Sequence, residues 1–470
     1  MITRLFVPGR EGFEEQDSRA GAALERVLAL DEAEVHASLE DVAARFDGRH
    51  RDLLDIFRRH AREVADRLDP AAAVSEARLL LLGAVFTSEY AIEGAALCNP
   101  SMVAHPDQAG IAADSLRFVM SVRGIGEGHI SSIGFRTGIV DGAGEIILDD
   151  PPEYATAGAM VPTLLDRLVM KSELRRLHGA GEAADFILDG LGDKFTRTDL
   201  DMQVDNLQNH RRTRGHASET ISLIYAIAER TYGVELSTDI ALSEQVMWPA
   251  MSAERAGMED ARFVRFVDDD GTVTFYASYT AYSGSHISQQ LLTTTDFHSF
   301  TSVPMVGRAA ANKGLGLFPR RIRGRFAAMS RSDRESNAVA YSDHPFEWTE
   351  SLRCQSPART WEAVQLGNCG PPIETEAGWL VLTHGVGPMR TYRIGALLLD
   401  LEEPSRVVGQ LRQPLLSPTA DEQDGYVPNV VYSCGALVHH GTLVLPYGIG
   451  DAAIGFATVP LEALLAELKS

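Results

Sequence analysis

The sequence predicts a mainly β protein, a five-bladed β-propeller with an N-terminal helical segment and a helical insertion. Three observations support this. Helical spacing of apolar residues gives way to alternation after Asn99-Pro100. Short glycine turns then break the alternating runs into five hairpin units. Successive turns fall roughly 50 to 60 residues apart, close to the length of a four-stranded blade. A large β-sandwich with helical additions makes the same strands from short hairpins, and spacing alone does not separate the two.

The elements follow in order. Over 1–95 the pattern is helical. Val35, Leu39, Val42 and Phe46 recur at spacings of three and four, and Asp31 with Glu34 reads as a capping box. Leu53, Phe57, Val64 and Leu68 form a second apolar stripe, Gly48 and Asp69-Pro70 punctuate the segment, and Leu79 to Val85 form a more deeply buried helix. The β domain spans 96–470. Its first hairpin is Ile130 to Val140 with Glu145 to Leu148, turning at Gly142 to Gly144. A helical insertion of about 160–248 follows, with Leu164, Leu165, Leu168 and later Ile221, Ile224 and Ile227 at helical spacing. Four hairpins come next, turning at Asp270-Gly271, Arg323-Gly324, Ala377-Gly378 and His440-Gly441.

At 470 residues the chain has room for about three average domains or one large β fold. Its 45% hydrophobic and 23% charged residues, with a mean hydropathy of −0.08, are those of an ordinary globular protein. The formal net charge of −22 repels phosphate backbones and anionic headgroups, which argues against nucleic-acid and membrane partners. Cys98, Cys354, Cys369 and Cys434 form no CxxC pair and read as free buried thiols, so no metal site is expected. The first residues carry no apolar signal core, and the expected compartment is the cytoplasm. The helical additions offer apolar surface to the β domain or to a second copy in a homo-oligomer, and the sequence does not choose between them.

No P-loop, HExxH or GxSxG motif is present. Gly124-Ile125-Gly126-Glu127-Gly128 lacks the last glycine of a dinucleotide fingerprint and reads as a loop. Polar residues instead gather at strand ends. Arg123, Glu127, His129, Ser131, Ser132 and Arg136 suit a sugar, or form a solvated hairpin with internal salt bridges. In Glu259-Asp260-Ala261-Arg262, adjacent strand residues face opposite ways, so only one acid points at a given site. Asn312-Lys313 with Arg331, Asp333, Arg334 and Asn337 could hold phosphate or a carboxylate, or form a structural ion network. Asn368 to Glu374 with His384-Gly385, and Tyr426 to Asn429 with Tyr447-Gly448 and Asp451, complete the set.

These residues resemble glycoside hydrolase family 130, the β-mannoside phosphorylases and β-1,2-mannosidases built on a five-bladed propeller. The resemblance runs from about Asn99 to the C-terminus. It rests on Asn99-Pro100-Ser101, Glu259-Asp260-x-Arg262, Leu317-Phe318-Pro319, Gly370 to Ile373, Gly378-Trp379-Leu380, His384-Gly385-Val386, Tyr392 to Pro404, Val427 to Cys434 and Tyr447-Gly448-x-x-Asp451. It implies Asp260 as general acid, protonating the glycosidic oxygen through the sugar's own 3-hydroxyl. Ala261 stands where the family has proline. The resemblance further implies Asn99, Ser101, Arg123, Arg262, His384 and Asp451 at the mannosyl pocket. No redox cofactor or metal is implied.

The acceptor depends on a second group of positions. Phosphorylases present several cations to phosphate, and Lys313 and Arg331 match two of them. Glu374 falls where the family's phosphate-binding lysine would stand, and Asn337 near the place of a histidine. A glutamate there repels phosphate and activates water. The expectation is therefore an inverting mannosidase on β-linked, β-1,2 in particular, mannose-containing oligosaccharides. Asp260 and Glu374 would then lie roughly 6.5–9.5 Å apart. The alternative is a phosphorylase with inorganic phosphate as cosubstrate, releasing mannose 1-phosphate.

Overall fold

The computed structural model describes residues 1–8, 19–65, 74–209 and 217–470. They form two compact units, Met1–Ile92 with Pro152–Thr156, and Glu93–Pro151 with Ala157–Ser470.

The first unit holds four helices, α1 (Arg19–Leu28), α2 (Glu32–Phe46), α3 (Leu53–Ala65) and α4 (Glu76–Val85), and an antiparallel strand pair, Ile2–Leu5 with Thr87–Tyr90. The capping box forms as expected: Glu34 N donates to Asp31 Oδ1 at 2.8 Å and Asp31 N to Glu34 Oε2 at 3.1 Å, satisfying two amides that α2 leaves open. Val35, Val64, Leu81, Leu82 and Phe86 are buried together, while Leu39, Val42 and Phe46 are only half-buried. A Cβ on Gly83 would stand 1.9 Å from the Phe57 carbonyl oxygen, so glycine is what lets α4 meet α3. Leu68 and Asp69-Pro70 lie outside the described residues.

The second unit is mainly β, with five successive antiparallel sets. The first is Ala96–Ala104, Leu116–Ile125, Ser131–Val140 and Ile146–Leu148. The second is Gly257–Val267, Val273–Tyr282, Ile287–Thr294 and Ser299–Pro304. The third is Gly316–Leu317, Phe326–Ser330, Asn337–Ser342 and Ser351–Gln355. The fourth pairs Gln365–Asn368 and Ile373–Thr375 with Gly378–Val386, then Tyr392–Leu399 and Val407–Gln410. The fifth pairs Val431–Tyr432 and Leu437–His439 with Thr442–Ile449, then Ala453–Pro460, before the helix α9 (Leu461–Leu468). Each of the five expected hairpins is present as an antiparallel pair.

The inserted segment holds α5 (Arg167–Arg176), α6 (Glu182–Asp189), α7 (Arg197–Asn209) and α8 (Ala217–Ala228) around Leu174, Ile187, Leu200 and Ile224; α9 is the C-terminal helix. It differs from the expected run of helix in two ways. Asp166 caps α5, its Oδ1 accepting from Leu168 N and Val169 N, so Leu164 and Leu165 precede the helix. Its ends are strands: Tyr232–Glu235 pairs with Ser299–Pro304 and with Ala159–Val161, widening the second set. Four residues interrupted by Gly233 carry too little alternation to stand out beside the Ile221, Ile224, Ile227 periodicity.

The leading strands of the sets, with the residues that follow them, touch in turn. Phe263 N donates to Ser101 Oγ at 3.0 Å, Val267 N to Pro319 O at 2.9 Å, and Cys434 N to Pro100 O at 2.8 Å. A Cβ on Gly316 would stand 2.7 Å from Gly370 O, and one on Gly370 would stand 2.3 Å from Cys434 O. First meets second, second meets third, third meets fourth, fourth meets fifth, and fifth meets first.

Candidate active site

Two irregularities shape the site. The ladders of the first strands of sets one and two each slip, between Cys98 and Ser101 and between Glu259 and Arg262. Within each slip one residue is left-handed, Asn99 at φ 52° and Asp260 at φ 58°. The slips turn the two side chains toward each other: Asn99 Nδ2 donates to Asp260 Oδ1 at 2.6 Å, both residues being buried. The bulge also overturns the expectation that only one acid of the pair faces a given site. Arg123 donates to Asp260 Oδ1 at 3.2 Å and to Glu259 Oε1 at 2.7 Å, and its Nε to Ser131 Oγ at 2.9 Å. Strand alternation does not hold across a bulge.

Cations surround this corner. Lys313 Nζ lies 3.7 Å from Glu259 Oε2 and remains partly exposed. Burial acts to raise the affinity of Asp260 for a proton, but the charges of Arg123, Lys313 and Arg262 and the Asn99 hydrogen bond outweigh it and hold the carboxyl well below the usual range. Asp451 is left-handed at φ 50°. Burial pushes its carboxyl up to about 6, the charge of Asp260 adding to the rise while Arg123, Arg390 and Lys313 oppose it. Two carboxyl groups in one field are thereby driven apart.

A second chain of contacts runs deeper. Arg262 donates to the Asp260 carbonyl at 2.8 Å and to Tyr432 Oη at 2.9 Å. The Tyr432 ring lies 4.9 Å from that of His384, whose Nε2 is 3.0 Å from Arg331 Nη1. A guanidinium only donates, so Nε2 accepts, and the proton sits on Nδ1, 3.3 Å from the Asn368 carbonyl. Burial, then the charges of Arg331 and Arg262, push His384 well below its usual range, so the imidazole is neutral. Three buried polar atoms here lack a protein partner: Asn99 Oδ1, Arg262 Nε and Arg331 Nε. Such atoms can pair with water or with a ligand's hydroxyls or oxyanions.

The structure therefore brings together Asn99, Arg123, Asp260, Arg262, Lys313, Arg331, His384 and Asp451. It corrects three expectations. Ser101 is fully buried and its hydroxyl accepts from Phe263 N, so it fastens two strands and offers no surface to sugar. Asn337, also fully buried, donates to Gln355 Oε1 at 2.8 Å in the third set. Glu374 is not beside Asp260. It forms a fork with Arg320, at 2.9 Å from Nε and 2.7 Å from Nη2, and the guanidinium stacks 4.9 Å from the Trp379 ring. Glu374 lines a pocket of about 490 Å³ with Arg265, Val267, Pro319 and Arg320. Its partner Arg320 follows Pro319, whose carbonyl accepts from Val267 N, seven residues beyond Asp260 on the same strand; at 3.3 Å per residue that is about 23 Å, past the separation expected of a water-activating pair. Arg136 is likewise a structural ion pair, held by Glu93 at 2.8 Å. Cys98, Cys369 and Cys434 are buried free thiols, and Cys354 is a half-buried one.

Two contributors were not singled out in the sequence. Tyr432 sits inside the Val427 to Cys434 stretch with no signal beyond being an aromatic residue at a strand end. Arg390, left-handed at φ 54°, is placed near Asp451 by a turn that only the backbone reveals.

Comparison with known proteins gives the family. A family model described as beta-1,4-mannooligosaccharide phosphorylase, that of glycoside hydrolase family 130, matches residues 214–470. A 1,2-beta-oligomannan phosphorylase of Thermoanaerobacter is 32% identical over 225 residues, covering 47% of this chain and 74% of that protein. A beta-1,2-mannobiose phosphorylase of Listeria innocua is 29% identical over 232 residues, covering 47% of this chain and 63% of that protein. Among solved structures, the Listeria innocua beta-1,2-mannobiose phosphorylase in complex with beta-1,2-mannobiose aligns with a TM-score of 0.47 at 19% identity, covering 81% of this chain and 93% of that one. The matched segment takes in Asp260, Lys313, Arg331, His384 and Asp451, and the chain belongs to glycoside hydrolase family 130.

Proposed function

We propose that this chain is a β-mannoside phosphorylase in which inorganic phosphate cleaves β-1,2-linked mannosides and releases mannose 1-phosphate. The observation that carries the reading is the separation of Glu374 from a corner rich in cations. Hydrolysis needs a base to activate water, and the residue expected to be that base is bound to Arg320 elsewhere. A phosphate dianion is already a nucleophile and needs cations to hold it. Lys313 and Arg331, with the unpartnered Arg331 Nε, are suited to that task. The names of the relatives support the substrate class and the β-1,2 linkage.

The chemistry follows from the residues. A phosphate oxygen attacks the mannosyl C1 from the face opposite the leaving oxygen; the C1–O bond to the leaving sugar breaks, and that oxygen takes a proton passed from Asp260 through the 3-hydroxyl. In the unliganded chain Asp260 is a carboxylate. Phosphate on Lys313 and Arg331 cancels part of the positive field that depresses it, so the cosubstrate helps load the acid with its proton. Asn99 Oδ1 accepts a sugar hydroxyl, while Arg262 and neutral His384 position Asp260 and Arg331 from behind.

The five antiparallel sets are read as the blades of a five-bladed propeller, on the support of the circuit of contacts between their leading strands. A phosphorylase draws on free inorganic phosphate, which fits the cytoplasmic placement read from the sequence. The test is incubation with β-1,2-mannobiose with and without inorganic phosphate, resolving mannose from mannose 1-phosphate. Phosphate-dependent mannose 1-phosphate is expected. Mannose formed equally in both would overturn the reading and give the role of base to Asp451, whose carboxyl is poised near 6.

A further inference from the structure

The fourth set carries a second cavity, of about 830 Å³, which the chemistry above does not use. Arg359, Arg393 and Arg412 line it with Thr360, Gln413 and Ser417, and no carboxylate is among its lining residues. In a chain of net charge −22 such a concentration of cations is unusual. Glu362 neutralises Arg359 at 3.2 Å; the guanidinium groups of Arg393 and Arg412 have no ion-pair partner among the described residues.

The walls are built rather than loose. The Trp361 ring lies flat against the fourth set: a Cβ on Gly385 or Gly395 would come within 2.4 Å or 2.6 Å of it. Trp361 Nε1 donates to the Arg412 carbonyl at 3.3 Å, and Leu416 and Ile394 exchange backbone hydrogen bonds at 3.0 and 2.9 Å. The segment bearing Arg412 and Ser417 is thus fastened to the strand bearing Arg393. Arg393 stands opposite Gly385 in the register, next to Tyr392, whose ring stacks with His384. Neighbouring strand residues face opposite ways, so the cavity lies across the sheet from the His384 cluster. Pro388 of the cavity and Arg390 of the site belong to one turn.

We infer that this cavity is a second binding site for a hexose phosphate. Two unpaired guanidinium groups recognise the phosphoryl dianion, and the hydroxyls of Thr360 and Ser417 with the Gln413 amide recognise sugar hydroxyls. The site is an open depression, with Thr360, Arg412 and Gln413 exposed at its mouth, and its volume lies in the range of small-molecule sites. The chemistry stands whichever acceptor the enzyme uses; only the identification of the ester with the enzyme's own product rests on the phosphorylase reading.

The test is equilibrium dialysis of radiolabelled mannose 1-phosphate against the full chain. Two molecules per chain are expected, one displaced by β-1,2-mannobiose and one indifferent to it. The double variant Arg393→Gln/Arg412→Gln loses the indifferent molecule at least tenfold in affinity and keeps its turnover. Ser417→Glu, which places a carboxylate in the cavity, does the same. Inorganic phosphate competes for the indifferent molecule at higher concentration than the ester does. A wild-type chain that holds no mannobiose-indifferent molecule overturns the inference, as do variants that retain it or displacement by neutral mannose alone. If the phosphorylase reading fails while this one stands, the indifferent molecule alone binds and the double variant abolishes it.

Discussion

Asp260 and Glu374 are both acids paired with arginine, at opposite ends of the leading strands, and they are held in opposite ways. Glu374 is half-exposed, forked with Arg320 and complete; the pair staples a hairpin edge over Trp379. Asp260 is buried, shared between Arg123 and Asn99, and surrounded by polar atoms with nothing to bind. A satisfied ion pair at the surface contributes little and does nothing further. A buried one with open valences is costly unless a ligand completes it. The presence of an acid and a base of suitable type does not identify a site; the state of their hydrogen bonds does.

The largest expected effect comes from Asp260→Asn, which removes the proton donor: phosphate-dependent turnover of β-1,2-mannobiose falls by about 10²–10⁴-fold with the fold intact by circular dichroism. Next is Arg331→Gln, which takes charge from the acceptor and frees His384 from its donor. KM for phosphate rises about 10- to 100-fold in initial-rate measurements, more than KM for the mannoside. Asp451→Asn comes third. Because the fold raises the Asp451 pKa to about 6, the folded chain binds more protons than the unfolded one between about 4 and 6, and stability declines as pH rises through that window. The variant should therefore melt a few degrees above the parent at pH 8, with the gain shrinking toward pH 4.5, as read by calorimetry. Glu374→Gln is the smallest: under twofold on turnover and about 0–1 kcal/mol on stability. A loss comparable to that of Asp260→Asn would erase the distinction between the two ends.

Much of the fold was legible because its signals are local. Gly271, Gly324, Gly378 and Gly441 all adopt positive φ at the hairpin turns where the sequence places them. Asp31 and Glu34 form their box within four residues. The site was legible as a set of residue types and, through Asp260, Lys313 and Arg331, as a family pattern. Its geometry was not. Asn99 and Asp260 are left-handed inside strands without the glycine that usually announces it, so the bulges that join Glu259 and Asp260 on Arg123 leave no mark in the pattern. Glu374 was misplaced for the complementary reason: a short strand after Gly370-Pro371-Pro372 gives no sign of which end of the leading strands it reaches.

The most direct measurement follows the oxygen. β-1,2-Mannobiose is cleaved in unlabelled water with phosphate carrying ¹⁸O, and the sugar products are weighed by mass spectrometry. Attack by phosphate held on Lys313 and Arg331 predicts label in the oxygen bonded to C1 of mannose 1-phosphate. Two molecules of unlabelled mannose for each bond cleaved, with no labelled mannose 1-phosphate, would contradict it.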